Sequence, residues 1–518
     1  MTGSFPVRYQ QAATNHNTPS RKKNQFVSLL ATRPSARKNK EPEPQKMTID
    51  SSWLHAFKED SPHAFMQRHP FHPAAIFVDG QIKLMQGFQR EPLTWDQFIH
   101  RQFTRHLQKW FETCNVVILA FDNYEHVPRA KSMTQAKRRK NIPTIPFSEH
   151  SELPSMVPEG ERWTHCIANR AFKTRVIDLV RLRLPQLLLT SGEQHRGKRL
   201  IIDYHEPREF WYNPEERRVT SQVIEGMPAM GEADVKFTRY ADRYSKLMVD
   251  SIDGDSVPIA LMYLERCLRS TTPQRIPEVS LYRMELRLVG TDRTASSSRP
   301  GGGAEKRARE RSPDDAAVDT GKEDTRARRE RRTYEFVHIN ALYWGLKQAI
   351  AQSVGRVTLP THQGHEMAML VALIGLTGTD FTRNLPQVSG KTVFLFLPDI
   401  WATLAAVYDP AKKALRVDTA TDMLVAHMYR TKFPRHTTGG GGGLASVLEH
   451  LLQTPKISQR VKNTLPTVDR IACTIRNVNW VLAYWGHDDN GVPPPNPVQP
   501  EYGFRLLPNG ATEYADLI

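Results

Sequence analysis

GEADVKFTRYADRYSKLMVDSIDGD, Gly231 to Asp255, carries the pattern from which the rest of the chain is read. Ala233, Phe237, Tyr240, Ala241 and Tyr244 recur at the spacing of one helical face, so a helix begins just after Glu232. Lys246 to Val249 then reads as a short buried strand. Residues two apart on a helix point about 200° away from each other, so Glu232 and Asp234 converge only if Glu232 sits at or before the helix start. In extended chain, residues i and i+2 share a side. The DGD after the strand is therefore expected to present Asp253 and Asp255 together, with Gly254 permitting close approach. Asp250 reads either as a supporting partner of that pair or as a solvated turn residue.

The same alternation runs upstream. Ala74 to Val78 is an apolar run ending in Asp79. Trp95, Phe98, Ile99, Phe103, Leu107, Trp110 and Phe111 follow the N-cap Thr94 at helical spacing, and Val116 to Phe121 is a buried strand ending in Asp122. LIIDY, with Asp203, is a further possible strand. Continuous apolar strands separated by helices predict an α/β fold, a mainly parallel sheet covered by helices on both faces. Such sheets place their sites beyond the carboxyl ends of the strands. Downstream, the apolar helix-like run Met369 to Leu376 is followed by Gly378 and Asp380.

Seven carboxylates thus end apolar elements: Asp79, Asp122, Glu232, Asp234, Asp253, Asp255 and Asp380. Gathered in a crevice they repel, and the arrangement makes sense around divalent cations. Oxygen donors without His or Cys favour Mg²⁺ or Mn²⁺ over Zn²⁺. The plain alternative is that each acid is an ordinary cap or turn residue.

The chain has 518 residues with 71 Lys and Arg against 55 Asp and Glu, a formal net charge of +16, which favours polyanionic partners. Cys114, Cys166, Cys267 and Cys473 are scattered without a CxxC pair, as expected in a reducing interior. No apolar run approaches the roughly 20 residues that span a bilayer. The expectation is a soluble intracellular protein without a membrane partner, in the nucleus, a viral replication compartment or the mitochondrion.

Composition divides it into a basic tail expected to be disordered (1–48), a first core block (49–291), an Arg/Ser/Gly-rich insertion (292–333), a second core block (334–435) and a helical C-terminal extension with glycine and proline runs (436–518).

GEAD, the strand and DGD after it, and GTDF after the apolar helix together resemble the flap endonuclease and XPG family of structure-specific 5′ nucleases. The resemblance covers discontinuous blocks between about Ala74 and Leu395. It implies a PIN-like α/β nuclease domain, two Mg²⁺ or Mn²⁺ ions held by the seven acids, and DNA with a 5′ flap or single-stranded end as substrate. FDNYEHVPRAKSMTQAKRRK resembles the family segment in which a Lys and an Arg follow a catalytic Asp. Lys131 and Arg138 are seven apart, two helical turns, so both can face one phosphate. The bland reading of this basic run is a solvated helix face.

The chain also departs from the family. Gln387 and Ser389 stand where the family has the glycines of a duplex-gripping turn, and no sliding-clamp motif is apparent. An RNA-degrading enzyme of the same superfamily and a catalytically silent nucleic-acid scaffold therefore stand as alternatives. His362 and His365 share helical spacing without completing a zinc-ligand set, and read as surface or capping residues. Trp480, Tyr484 and Trp485 read as core, although such rings also stack bases.

Overall fold

The computed structural model describes residues 62–66, 68–87, 91–123, 143, 145–189, 195–227, 230–251, 253–270, 276–286, 332–354, 364–379, 382, 385–388, 397–434, 437, 442–487, 495–506 and 512–514. The basic tail, most of the glycine run and nearly all of the insertion lie outside them, as do His362 and Ser389.

Nine strands form the central sheet: β1 (Phe65–Met66), β2 (Ala75–Asp79), β3 (Val116–Ala120), β4 (Arg199–Asp203), β5 (Pro207–Asn213), β6 (Arg218–Val223), β7 (Lys246–Asp250), β8 (Glu278–Leu286) and β9 (Arg332–His338). Their order is β1-β9-β8-β7-β2-β3-β4-β5-β6. The five adjacent strands β8, β7, β2, β3 and β4 are parallel, and antiparallel strands extend both margins. In chain order the parallel strands first build outward from β2 through β3 to β4, then restart on its other side with β7 and β8. The reversal point lies between β2 and β7, where open α/β sheets form a crevice.

Strand composition explains the two-sided burial. Alternate residues feed two separate cores: Ile76, Val78, Val117, Leu119, Leu200, Ile202 and Met248 face one, and Ala75, Phe77, Ile118, Ala120, Ile201, Leu247 and Val249 the other. The first core is closed by α2 (Trp95–Ile99), α3 (Arg105–Thr113), α4 (Gly160–Ala168) and α5 (Arg170–Leu189), after the short α1 (Gly80–Met85) that follows β2. Thr94 caps α2 with a full capping box with Gln97, and a π-helical turn, His100–Thr104, joins α2 to α3. That wider turn absorbs an extra residue while Phe98, Phe103 and Leu107 all stay buried.

The second core is covered by α6 (Ala233–Arg243), α7 (Ser256–Arg269), α8 (Ile339–Val354), α9 (Glu366–Thr377), α10 (Leu397–Val407), α11 (Thr419–Lys432), α12 (Leu444–Gln453) and, beyond the short α13 (Gln459–Lys462), α14 (Val468–Trp485). Every residue of α9 is buried, which its unbroken apolar sequence demands. At the head of α9, Glu265 of α7 accepts the Met367 and Ala368 N–H groups at 2.7 and 3.0 Å, taking up donors that the first helical turn leaves open. Burial raises the Glu265 carboxyl to about 7, against the pull of those two N–H groups.

Trp480, Tyr484 and Trp485 are core residues of α14, and His365 occupies the N-cap position of α9 beside Arg269, as expected. LIIDY is the strand β4. Two boundaries differ from expectation. β3 ends at Ala120, so Asp122 lies beyond it, and Arg332 and Thr333 belong to β9 rather than to the insertion. Among the described residues no helix is long and apolar enough to cross a membrane.

Candidate active site

Strand register decides which acids can meet. Asp79 has the parity of Phe77 and faces the second core, as does Asp203, which has the parity of Ile201; Asp250 has the parity of Met248 and faces the first. Asp250 is accordingly neither a solvated turn residue nor a supporter of the acid centre. It is buried against α1 and α3, where its Oδ2 meets His106 Nε2 at 2.6 Å, accepts from Trp110 Nε1 at 3.1 Å and lies 3.7 Å from Lys83 Nζ. Burial alone would raise its pKa; His106, Lys83 and Trp110 together outweigh that and hold it below the usual carboxylate range.

On the other face, at the carboxyl edge beside the reversal point, Asp79 and Asp122 come together. Asp79 is the N-cap of α1, its Oδ1 accepting from Gln81 N at 2.9 Å and Ile82 N at 3.2 Å. Asp122 Oδ1 accepts from Ala233 N, the first N–H of α6, at 3.0 Å, and Asn123 N donates to Gly231 O at 2.6 Å. The GEAD stretch is thereby laced to the end of β3. Gly80 makes the approach possible: a Cβ there would stand 2.6 Å from Phe121 Cε1 and 2.8 Å from the Ala120 carbonyl oxygen.

Burial pushes the Asp79 carboxyl up to about 7, with the Asp122 charge adding to the rise and Asp253 adding further. These three acids therefore share one electrostatic site. Among the described residues, neither Asp79 nor Asp122 has a basic side chain at ion-pair distance, in contrast to Asp203 and Asp250.

Glu232 is the N-cap residue of α6, in extended backbone and 2 % exposed, which meets the condition for it to converge with Asp234 in the first turn. The DGD expectation needs correction. Asp255 is not in extended chain: its backbone is helical, it is the buried N-cap of α7, and its N–H donates to Asp253 Oδ1 at 3.2 Å. The two carboxylates are thus set by a turn into a helix rather than by a shared strand face. The apolar run from Val257, with Pro258 in the first helical turn, is the signal for that start. Both buried acids lie at helix N-termini, where the helix dipole favours negative charge by about 0.3–1 kcal/mol.

Asp380, Lys131 and Arg138 lie outside the described residues. Among the described residues, no three His, Cys, Asp or Glu side chains are gathered tightly enough to hold a metal ion by themselves. The donor chemistry nonetheless fits a hard divalent cation: carboxylate oxygens only, one of them kept from ionising normally by burial and by its acidic neighbours.

A group that sequence reasoning did not single out stands beside this centre. Asp203, completely buried, accepts from Tyr240 Oη at 2.8 Å, pairs with Lys236 Nζ at 3.0 Å and is bound by Arg239. Burial would raise its pKa, but Lys236 and Arg239 hold it below the usual range. The signal was present, because Lys236 falls on the same helical stripe as Ala233, Phe237 and Tyr240, and a cation on a buried stripe needs an acid.

Past α9, Gln387 adopts φ 66°, in the left-handed region that favours glycine. No protein-family model matches the chain, and no curated protein sequence is detectably similar to it.

Proposed function

We propose that this protein is a divalent-metal-dependent nuclease of the PIN-like 5′ nuclease type that hydrolyses phosphodiester bonds, acting on DNA with a 5′ flap or a single-stranded end. The observation that carries the reading is that Asp122 and Asp253 both act on the buried Asp79 carboxyl at the carboxyl edge, beside the reversal point, while among the described residues no basic side chain stands at ion-pair distance from Asp79 or Asp122. Carboxylates held this way are costly unless a cation is supplied from outside. The net charge of +16 suits a polyanionic substrate, so binding weakens with salt. The glycine-like backbone of Gln387 supports the same resemblance at a position where the side chain departs from it.

Asp79, Asp122, Glu232, Asp234, Asp253, Asp255 and Asp380 would hold two Mg²⁺ or Mn²⁺ ions. When bound, such ions lower the pKa of a water and stabilise the attacking and leaving oxygens of an in-line displacement. The chain's own contribution is orientation. Asp79 and Asp122 each have one oxygen fixed by backbone N–H groups, which limits rotation of the carboxylate and leaves the other oxygen directed by it. Lys131 and Arg138 would position the scissile phosphate and offset developing charge.

The test is incubation with labelled 5′-flap DNA, single-stranded DNA and a matching RNA, in Mg²⁺ or Mn²⁺ and in EDTA, beside Asp253→Asn. Metal-dependent cutting of DNA that the variant loses is the expected result. Cutting of RNA alone reassigns the substrate, and binding without cutting of any substrate makes the protein a scaffold.

A further inference from the structure

Lys236 lies on the helix that holds Asp122, and its role rests on the metal centre proposed above. Its ammonium is wholly buried and donates to the carbonyl oxygens of Phe121 at 2.7 Å, Tyr204 at 3.1 Å and Asp203 at 3.4 Å, besides pairing with Asp203 Oδ1. Phe121 is the residue before Asp122, Asp203 ends β4 and Tyr204 follows it. A single side chain therefore ties the ends of two neighbouring parallel strands together, from the helix whose first N–H holds Asp122 Oδ1.

Neutralising Asp203 does not require this arrangement, because Arg239 and the Tyr240 hydroxyl already serve its Oδ2. An ammonium has three protons to place, and here it spends them largely on backbone carbonyls at the point where the chain turns toward Asp122. The Asp122 charge also acts on it directly. We propose that Lys236 is a positioning residue for Asp122: it fixes the end of β3, and so the place of that carboxylate beside Asp79, while Asp203 serves as the anchor for Lys236 and is not itself a metal ligand.

The two roles separate in a double variant. Lys236→Met leaves Asp203 paired with Arg239 and Tyr240 but removes one of its two cations and is expected to lower the unfolding midpoint; adding Asp203→Asn returns the net charge of the group to its wild-type value, with a side-chain amide oxygen still able to accept from Arg239 and Tyr240. With the charge balanced, Lys236→Met/Asp203→Asn is still expected to bind Mn²⁺ about 10- to 100-fold more weakly than wild type by calorimetry, the usual cost of losing a residue that supports a ligand. Hydrogen exchange of the peptide spanning Ala233, read by mass spectrometry without metal, should be faster. Lys236→Gln/Asp203→Asn keeps N–H donors without the charge and should recover much of the Ala233 protection.

Wild-type Mn²⁺ affinity and wild-type protection in the Met double variant, or identical exchange in the Met and Gln double variants, overturn the inference. A wild-type protein that binds no Mn²⁺ overturns the proposed metal centre instead, and the exchange comparison then decides the role of Lys236 by itself.

Discussion

Cation binding at the candidate centre should release a proton, and Asp79 sets how much. Its carboxyl is raised to about 7 by burial, by Asp122 and by Asp253, so in the metal-free protein it is part protonated near neutrality. A cation must displace that proton to reach the oxygen. The release expected from Asp79 on Mn²⁺ binding is roughly 0.9 proton at pH 6, roughly 0.5 at pH 7 and roughly 0.1 at pH 8.

Calorimetry in buffers of different ionisation heat reads this number directly, and Asp79→Asn should remove the pH dependence. The same shift fixes the sign of a stability effect. A carboxyl whose folded pKa lies above its unfolded one contributes stability at low pH that is lost as pH rises through about 7. Mn²⁺ should therefore stabilise the protein more at pH 8 than at pH 6. Mn²⁺ binding with the same proton release in wild type and Asp79→Asn at every pH would refute the reasoning, because the repulsion at Asp79 would then not be what the cation relieves.

Other sites give independent checks. Glu265, raised to about 7, should cost wild type roughly 2–3 kcal/mol of folding stability between pH 5 and pH 8, by the linkage between its unfolded and folded values. Denaturant titrations of Glu265→Gln across that range should show this loss removed. Gly80→Ala forces a methyl against the Ala120 carbonyl and the Phe121 ring; overpacking of this kind costs about 1–3 kcal/mol. The more telling effect should be on metal-dependent cutting, down by about 100-fold, because the shift falls between Asp79 and Asp122.

The parts of this architecture that were legible beforehand are those with one dominant periodicity. Val116 to Phe121 is apolar on both faces and has no home but a covered parallel sheet. The helix after Glu232 shows a clean stripe, and Met367 to Leu376 is so apolar that burial on all sides is its only solution. The margins were less legible. β5 and β6 mix charged and apolar residues because they pair at the margin of the sheet and are packed only in part, where one composition suits strand or loop.

Within the site, the acids were visible as residues but not by the face they occupy. Asp79 and Asp250 both end apolar strands, and only the pairing of Val78 with Asp250 reveals that they point to opposite cores. A shift of one residue in either strand end would have reversed the answer. The backbone at Asp255 departs from the extended expectation because the strand's geometry does not carry past Asp250, and the helix signalled by Pro258 has already begun.

The hairpin of β8 and β9 has a different kind of consequence. Leu286 and Arg332 are paired across it, so the 45 residues between them leave and return at one point of the sheet. Closing a longer loop costs little, about 0.6 kcal/mol for each doubling of length. The segment can therefore lengthen, shorten or be cut without disturbing the register on either side. Everything before it supplies β1 to β8 and everything after it supplies β9 and the helices from α8 onward, joined through the continuous second core. The polypeptide is in this sense divisible: two separately made pieces, ending and beginning within the insertion, hold between them all the information needed to assemble one sheet.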